Sequence, residues 1–196
     1  MCTRVLWPNA NGSVIVGRNM DFRFDLLTNL WQHPRGVERA DGVHGNLAWR
    51  AKYGSVVATA FDLVATDGMN EAGFAGHILW LAESQYGTPD ASATQLSQAV
   101  WLQYYLDNFA TVAEAVAWTQ ESQVAISQLF DPTGHLVPTL HLALNDSTGD
   151  SAIIEYIDGT PTIYHSREYT VMTNSPPYDQ QLELVTAYQG LGGDDP

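Results

Sequence analysis

The chain has 196 residues, of which 45% are hydrophobic and 15% charged, a composition that is typical of a globular domain and excludes a disordered segment. The formal net charge is −14, from 8 basic and 22 acidic residues, which argues against binding nucleic acid through its phosphates. No apolar run is long enough for a transmembrane helix, so no membrane partner is expected.

The N-terminal residues are predicted to form a β-hairpin. Residues 3–7 and 13–18 are rich in strand-forming side chains and flank the turn-forming sequence Asn-Ala-Asn-Gly. A loop-rich stretch with several glycines is predicted to follow over residues 21–53.

The middle of the chain is predicted to contain strands and then helices. Strands at residues 55–60 and 73–81 are expected to be joined through a turn around Asp67-Gly68. Residues 94–108 are apolar at helical spacing, and Thr-Val-Ala-Glu at residues 111–114 is a capping box that begins a second helix.

The C-terminal part is predicted to return to strands before a last helix. The strands are expected at residues 123–127, 139–145, 151–158, 161–165 and 169–173, and the helix at 178–189. Gly192-Gly193 is interpreted as a turn. This order favours an α+β fold, with helices packed on antiparallel sheet, and a single domain over residues 1–196.

Cys2 is the only cysteine in the chain and directly follows Met1. Removal of Met1 would give one residue a thiol and a free α-amine, and an α-amine has an ordinary pKa of about 8, suited to a general base for the thiol. Because the start lacks the apolar segment of a signal peptide, we expect a cytoplasmic protein, or a periplasmic one if an upstream signal has been removed.

Two charged residues at the end of the hairpin are candidates to assist that thiol. Arg18 is placed to supply a cation that favours the thiolate, and Asp21 to accept hydrogen bonds from the terminal ammonium. The alternative is that Arg18 and Asp21 pair only with each other on the surface.

The remaining candidates concern metals and substrate. None of the six histidines stands in a metal-binding pattern with Cys2, so no metal or other cofactor is expected, and His77 and His141 are predicted to be core or interface residues within strands. Four apolar residues near the proposed catalytic segments are candidates for an acyl pocket, with core packing as the equal alternative: Met20, Phe22, Phe61 and Trp80.

Four segments in this order resemble the choloylglycine hydrolase family, which includes penicillin V acylases and conjugated bile salt hydrolases. They are Met-Cys-Thr-Arg at residues 1–4, Gly-Arg-Asn-Met-Asp at 17–21, Gly-Met-Asn-Glu-Ala-Gly at 68–73 and Thr-Asn-Ser-Pro at 173–176. The resemblance covers essentially the whole chain. It implies a cysteine N-terminal nucleophile hydrolase of linear amides with an αββα fold, in which two stacked antiparallel sheets lie between helical layers.

The resemblance also implies roles for individual residues. Cys2 would be the nucleophile, with Arg18 and Asp21 tuning and orienting it. The side-chain amide of Asn174 and a backbone N–H near Trp80 would bind the oxyanion. The implied partner is a small acyl amide, and a homo-oligomer, either dimer or tetramer, is open for the full-length form.

An aromatic residue at position 80, where bile salt hydrolases carry Asn, favours the penicillin V acylase-like branch. A bile salt hydrolase and an acyl homoserine lactone acylase remain alternatives. Family members are considerably longer and carry a further arginine, so we expect this chain to be an N-terminal portion of the αββα sandwich, incomplete at its C-terminus. The alternative of another class is an inactive remnant or binding module.

Overall fold

The computed structural model describes residues 1–8, 11–41, 45–90, 92–130 and 137–191. In these ranges the strands are β1 (Cys2–Pro8), β2 (Val14–Met20), β3 (Asn29–His33), β4 (Glu38–Ala40), β5 (Ala48–Arg50), β6 (Ser55–Ala60), β7 (Val64–Asn70), β8 (Ala75–Trp80), β9 (Gln95–Ser97), β10 (Ala125–Ser127), β11 (Leu140–Asn145), β12 (Ser151–Ile157), β13 (Thr160–His165) and β14 (Val171–Thr173). The helices are α1 (Trp101–Asn108), α2 (Val112–Glu121) and α3 (Tyr178–Val185), the last followed by a 3₁₀ turn at Thr186–Tyr188.

Two antiparallel sheets make up the centre of the molecule. The larger has seven strands in the order β13-β12-β11-β8-β7-β6-β3, and the smaller has the order β14-β1-β2. In addition, β4 pairs with β5 as a short hairpin, and β9 pairs with β10 in parallel. Because β14 pairs with β1, the beginning and the later part of the chain are joined in one sheet.

The seven-stranded sheet lies between two different layers. Helices α1 and α2 pack on one face through an apolar cluster that includes Leu102, Leu106 and Leu142. The smaller sheet packs on the other face, where Cys2 and Met172 join a second cluster with residues of the larger sheet. The order is therefore helix, sheet, sheet, and the prediction of an α+β sandwich of antiparallel sheets is confirmed.

Several sequence predictions of local structure are confirmed. The hairpin is formed by β1 and β2. Thr111 caps α2, accepting a hydrogen bond from the backbone of Glu114, whose side chain bonds back to the cap. Both His77 and His141 are buried in strands.

None of the helices in the described ranges is long and apolar enough to cross a membrane. The turn predicted at Gly192-Gly193 lies outside the described residues.

The turn predicted at Asp67-Gly68 is wrong, because both residues lie inside β7. Gly68 is required there by the close approach of α1. A Cβ at this position would lie 2.6 Å from Leu106 Cδ1 and 3.0 Å from the carbonyl oxygen of Val56. A glycine inside a strand often marks such an approach, and the turn prediction took it for a chain reversal.

Two other local predictions were wrong because pairing between distant segments decided the structure. The helix predicted from residue 94 begins only at Trp101, since β9 pairs with β10 instead. The stretch predicted as loop over 21–53 contains β3, which extends the larger sheet by pairing with β6, and the hairpin of β4 and β5.

Candidate active site

Cys2 is the first residue of β1, and its side chain points into the space between the two sheets. Strand register places Cys2 opposite Met20 and Arg4 opposite Arg18. Because paired residues of antiparallel strands share a face, all four side chains are directed toward the larger sheet. Cys2 is only 6% exposed.

Asn174 immediately follows β14 and joins the start of β1 to the end of β8. Its Oδ1 accepts a hydrogen bond from the Cys2 backbone N–H at 2.6 Å, and its Nδ2 donates to the Trp80 carbonyl oxygen at 2.6 Å. Thr173 adds a hydrogen bond from Oγ1 to the Cys2 carbonyl oxygen at 3.0 Å. Three predicted site residues, Cys2, Trp80 and Asn174, are therefore brought together although they are distant in sequence.

Asp21 lies beside the residue that precedes Cys2. The amine of Met1 donates to the Asp21 carbonyl oxygen at 2.8 Å, and the Asp21 N–H donates to the Met1 carbonyl oxygen at 3.0 Å. The Asp21 carboxylate Oδ2 is 3.6 Å from the same amine. Asp21 thus lies next to the peptide bond between Met1 and Cys2, and cleavage of that bond would create a terminal cysteine.

Arg18 does not pair with Asp21, so the alternative of a surface ion pair between these two residues is wrong. Its Nη1 lies 3.1 Å from Asp67 Oδ2, and its Nη2 donates to the carbonyl oxygen of Ile78 at 2.8 Å. The side chain is 8% exposed. Arg18 therefore connects the smaller sheet to β7 and β8 of the larger one.

Asp67 and His77 are site residues that the sequence reasoning missed. The second carboxylate oxygen of Asp67 is 2.9 Å from His77 Nδ1. Burial lowers the pKa of His77, the charges of Arg4 and Arg18 lower it further, and Asp67 opposes them. We assign a neutral ring that donates from Nδ1 to Asp67. The turn prediction at Asp67-Gly68 hid Asp67, and His77, predicted as a strand residue, was the available signal.

Further polar side chains are buried between the sheets, beside the apolar cluster that contains Cys2. Arg4 is fully buried and donates to the Leu144 carbonyl oxygen and to Asn145 Oδ1. Burial lowers the pKa of Arg4 to about 10, which still leaves it charged at neutral pH. His141 Nδ1 lies 2.9 Å from Glu155 Oε1, and both side chains are fully buried.

The apolar candidates divide into two groups. Met20 packs against the cluster that contains Cys2, and Trp80, which is 48% exposed, contacts Asn174 through its backbone carbonyl. Phe22 instead packs edge-on against Phe24 at 4.9 Å between ring centroids.

Phe61 belongs with Phe22 rather than with Cys2. Its ring centroid lies 6.3 Å from that of Phe24, and its backbone has a positive φ of 55°. Phe61 also lines an open cavity of about 500 Å³ whose lining does not include Cys2.

Within the described ranges there is no cluster of three or more His, Cys, Asp or Glu side chains that could hold a metal ion.

A family model described as linear amide C–N hydrolases, choloylglycine hydrolase family, matches residues 2–196. The chain belongs to this family. A penicillin V acylase of Pectobacterium atrosepticum is 48% identical over an alignment of 203 residues, which covers 98% of this chain and 54% of that protein.

Solved structures agree with this assignment to the choloylglycine hydrolases. The penicillin V acylase from Agrobacterium tumefaciens superposes with a TM-score of 0.89 at 47% identity, covering 98% of this chain and 58% of that one. The conjugated bile acid hydrolase from Clostridium perfringens superposes with a TM-score of 0.84 at 25% identity, covering 100% of this chain and 60% of that one. The chain thus spans little more than half the length of these relatives.

Proposed function

We propose that this choloylglycine hydrolase cleaves a linear amide through Cys2, with penicillin V as a better substrate than a conjugated bile salt. The observation that carries the proposal is the double contact of Asn174, which bonds the Cys2 backbone nitrogen with one side-chain atom and the Trp80 carbonyl with the other. This contact supports a role for the Asn174 amide next to Cys2, which is the only cysteine of the chain.

The first step of the proposed mechanism is removal of Met1. It would convert the Cys2 nitrogen into an amine that keeps its neighbour Asn174 Oδ1 and has Asp21 close by. The amine takes the thiol proton, and the thiolate attacks the carbonyl carbon of the substrate. The C–N bond then breaks, the proton passes to the leaving amine, and water hydrolyses the thioester to release the acid and restore the thiol.

Asn174 is proposed to stabilise the oxyanion that forms during the attack. Its Nδ2 donates to the Trp80 carbonyl oxygen and would turn from there to the developing charge. Deletion of one such donor costs about 3–4 kcal/mol in other enzymes. Arg18 is proposed to favour the Cys2 thiolate through its positive charge, and its position is set by its ion pair with Asp67.

Preference for penicillin V is supported by the apolar residues near Cys2. The half-exposed ring of Trp80 and the side chain of Met20 suit an aromatic acyl group better than a hydroxylated sterol, which needs polar partners. Identity to the Pectobacterium penicillin V acylase is 48%, against 26% to a bile salt hydrolase/transferase of Clostridium perfringens.

The test compares hydrolysis of penicillin V, taurocholate and an acyl homoserine lactone by the same preparation, whose intact mass is measured first. We expect loss of Met1 and the largest kcat/KM with penicillin V. Retained Met1 in an active preparation would contradict the free-amine mechanism. A preference for taurocholate would overturn the acyl assignment, and no hydrolysis of any substrate by protein lacking Met1 would favour the binding module.

We further propose that residues 1–196 form a single domain, supported by the pairing of β1 with β14 and by the sheet that runs from β3 to β13. Unfolding in urea should then follow one transition by fluorescence and by circular dichroism. The homo-oligomer that the resemblance leaves open, a dimer or tetramer, is the proposed assembly. Light scattering after size exclusion measures it.

A further inference from the structure

We propose that Gln181, on α3, is a positioning residue that fixes Asn174 for the reaction. The side chain of Gln181 makes three hydrogen bonds to the segment that carries Asn174. Its Nε2 donates to the carbonyl oxygens of Asn174 at 2.8 Å and Pro176 at 2.7 Å, and its Oε1 accepts from the Thr173 N–H at 3.3 Å. This inference rests on the proposed function wherever activity is the readout.

The three bonds define the orientation of the Gln181 amide. Both hydrogens of Nε2 meet carbonyl oxygens, so a flipped amide would set its own oxygen against two acceptors. A glutamate at this position would face the same two acceptors without a proton to share. The site therefore requires a neutral amide, and a side chain of the same shape does not suffice.

Helix α3 is itself anchored by a buried carboxylate that lies between the two sheets. The Tyr178 N–H, in the first turn of α3, donates to Glu155 Oε2 at 3.0 Å, and the other oxygen of Glu155 lies 2.9 Å from His141. Tyr178 and Leu182 pack against the cluster that contains Cys2. Gln181 thus extends from an anchored helix, as a precise positioning group requires.

The hydrogen bond from Gln181 affects the two short hydrogen bonds that the Asn174 side chain makes. With the Asn174 carbonyl fixed on one side by Gln181, Oδ1 and Nδ2 reach the Cys2 nitrogen and the Trp80 carbonyl on the other, each at 2.6 Å. Without Gln181 the Asn174 carbonyl loses the hydrogen-bond donor that fixes it on this side. A displacement of about 1 Å in a catalytic group can cost about 100-fold in rate.

The experiment compares three variants of the whole chain: Gln181→Glu, Gln181→Met and Gln180→Glu. The last is a matched control, because Gln180 is the neighbouring residue on α3, is exposed, and undergoes the same change of charge. We expect kcat for penicillin V to fall about 10- to 100-fold in both Gln181 variants with KM changed less than about threefold. Gln180→Glu should match the wild type.

Two outcomes would overturn the proposal. A wild-type kcat in Gln181→Met would show that its hydrogen bonds are not needed. A loss of kcat that follows only the folded fraction, measured by thermal melting, would show a merely structural role.

Nuclear magnetic resonance provides a readout that needs no activity. The side-chain NH₂ signals of Asn174, assigned by their absence in Asn174→Ala, should shift and exchange faster with solvent in both Gln181 variants but not in Gln180→Glu. If the wild type hydrolyses nothing, the proposed function fails, yet these signals still decide the role of Gln181. Unchanged Asn174 signals in the Gln181 variants would refute the positioning.

Discussion

The two faces of the seven-stranded sheet are packed by different chemistry. On the face toward α1 and α2, the buried side chains form the larger apolar cluster, as at Leu102 and Leu142, together with a few hydrogen-bonded polar side chains of α1. On the face toward the smaller sheet, the buried residues include Arg4, His77 and Glu155, each held by hydrogen bonds. One sheet thus separates a mainly apolar layer from a layer in which charged side chains are buried beside apolar ones. We refer to them as the apolar layer and the polar layer.

This difference separates stability from function. An apolar layer is specified by volume and shape and tolerates swaps that conserve both. A buried polar layer is specified bond by bond, since an unpaired group in a low dielectric is costly. All of the proposed catalytic contacts lie in the polar layer or at its rim. We therefore expect substitutions in the two layers to affect different observables.

The largest expected effect is that of Cys2→Ser, at the rim of the polar layer. A hydroxyl is far less acidic than a thiol, so the terminal amine should not activate it, and we expect kcat for penicillin V to fall at least about 10³-fold. The melting temperature should change little. Turnover close to wild type would place the nucleophile elsewhere.

Leu102→Ala should give the opposite result from the apolar layer. Leu102 is fully buried between α1 and the larger sheet, and truncation of such a residue costs about 2–5 kcal/mol of unfolding free energy. Below the melting transition, kcat per folded molecule should match the wild type. Urea titration and single-substrate kinetics measure both quantities, and a fall in kcat without loss of stability would break the proposed separation.

Asp67→Asn should lower kcat for penicillin V. The change removes the carboxylate that pairs with Arg18, leaving a weaker partner at the same position, and we expect kcat to fall about 10-fold. Glu71→Gln is the matched control, because it neutralises the exposed partner of Arg35 just beyond the same strand. Equal kcat values for the two variants would remove Asp67 from the site.

Gly76→Ala tests how closely α1 approaches the sheet. The added Cβ would lie 2.5 Å from Leu102 Cδ1 and 3.1 Å from Leu144 Cδ2, and such overpacking costs about 1–3 kcal/mol. Combining Gly76→Ala with Leu102→Ala should cost less than the sum of the two. Gly17→Ala, whose Cβ meets no atom within 4 Å, is the control. Additive costs would contradict the close approach.

The smallest expected effect is a pH dependence from His77. Burial holds the pKa of His77 below its ordinary value of 6.5, against Asp67 and with Arg4 and Arg18 facing the ring. The unfolded chain therefore binds the proton first, so stability is full above 6.5 and falls as the pH drops from there toward the folded value. Urea midpoints of His77→Gln should decline less than those of the wild type over this window, and parallel curves would contradict it.

The sequence by itself determined features that depend on neighbouring residues. The hairpin of β1 and β2 followed from alternation around a turn sequence, and the start of α2 from the capping box at Thr111. The position of Cys2 behind Met1, together with short motifs, indicated the family and directed attention to Asn174. Each of these signals lies within a few consecutive residues, which is the range over which backbone preferences and turn chemistry act.

Only the tertiary structure decided which of these residues meet. Asp67-Gly68 has the local signature of a turn, and it lies in a strand because α1 packs closely enough to need a glycine there. Arg18 pairs with Asp67 and not with its neighbour Asp21, since register directs it toward the larger sheet. The side-chain amide of Gln181, in α3, donates a hydrogen bond to the backbone carbonyl oxygen of Asn174, which precedes that helix. The contacts of Gly68 with α1 and of Arg18 with Asp67 join segments far apart in sequence, whereas Gln181 and Asn174 are 7 residues apart and meet because the chain enters α3 between them. Side-chain partners inside a polar layer depend on the register of every strand that forms it.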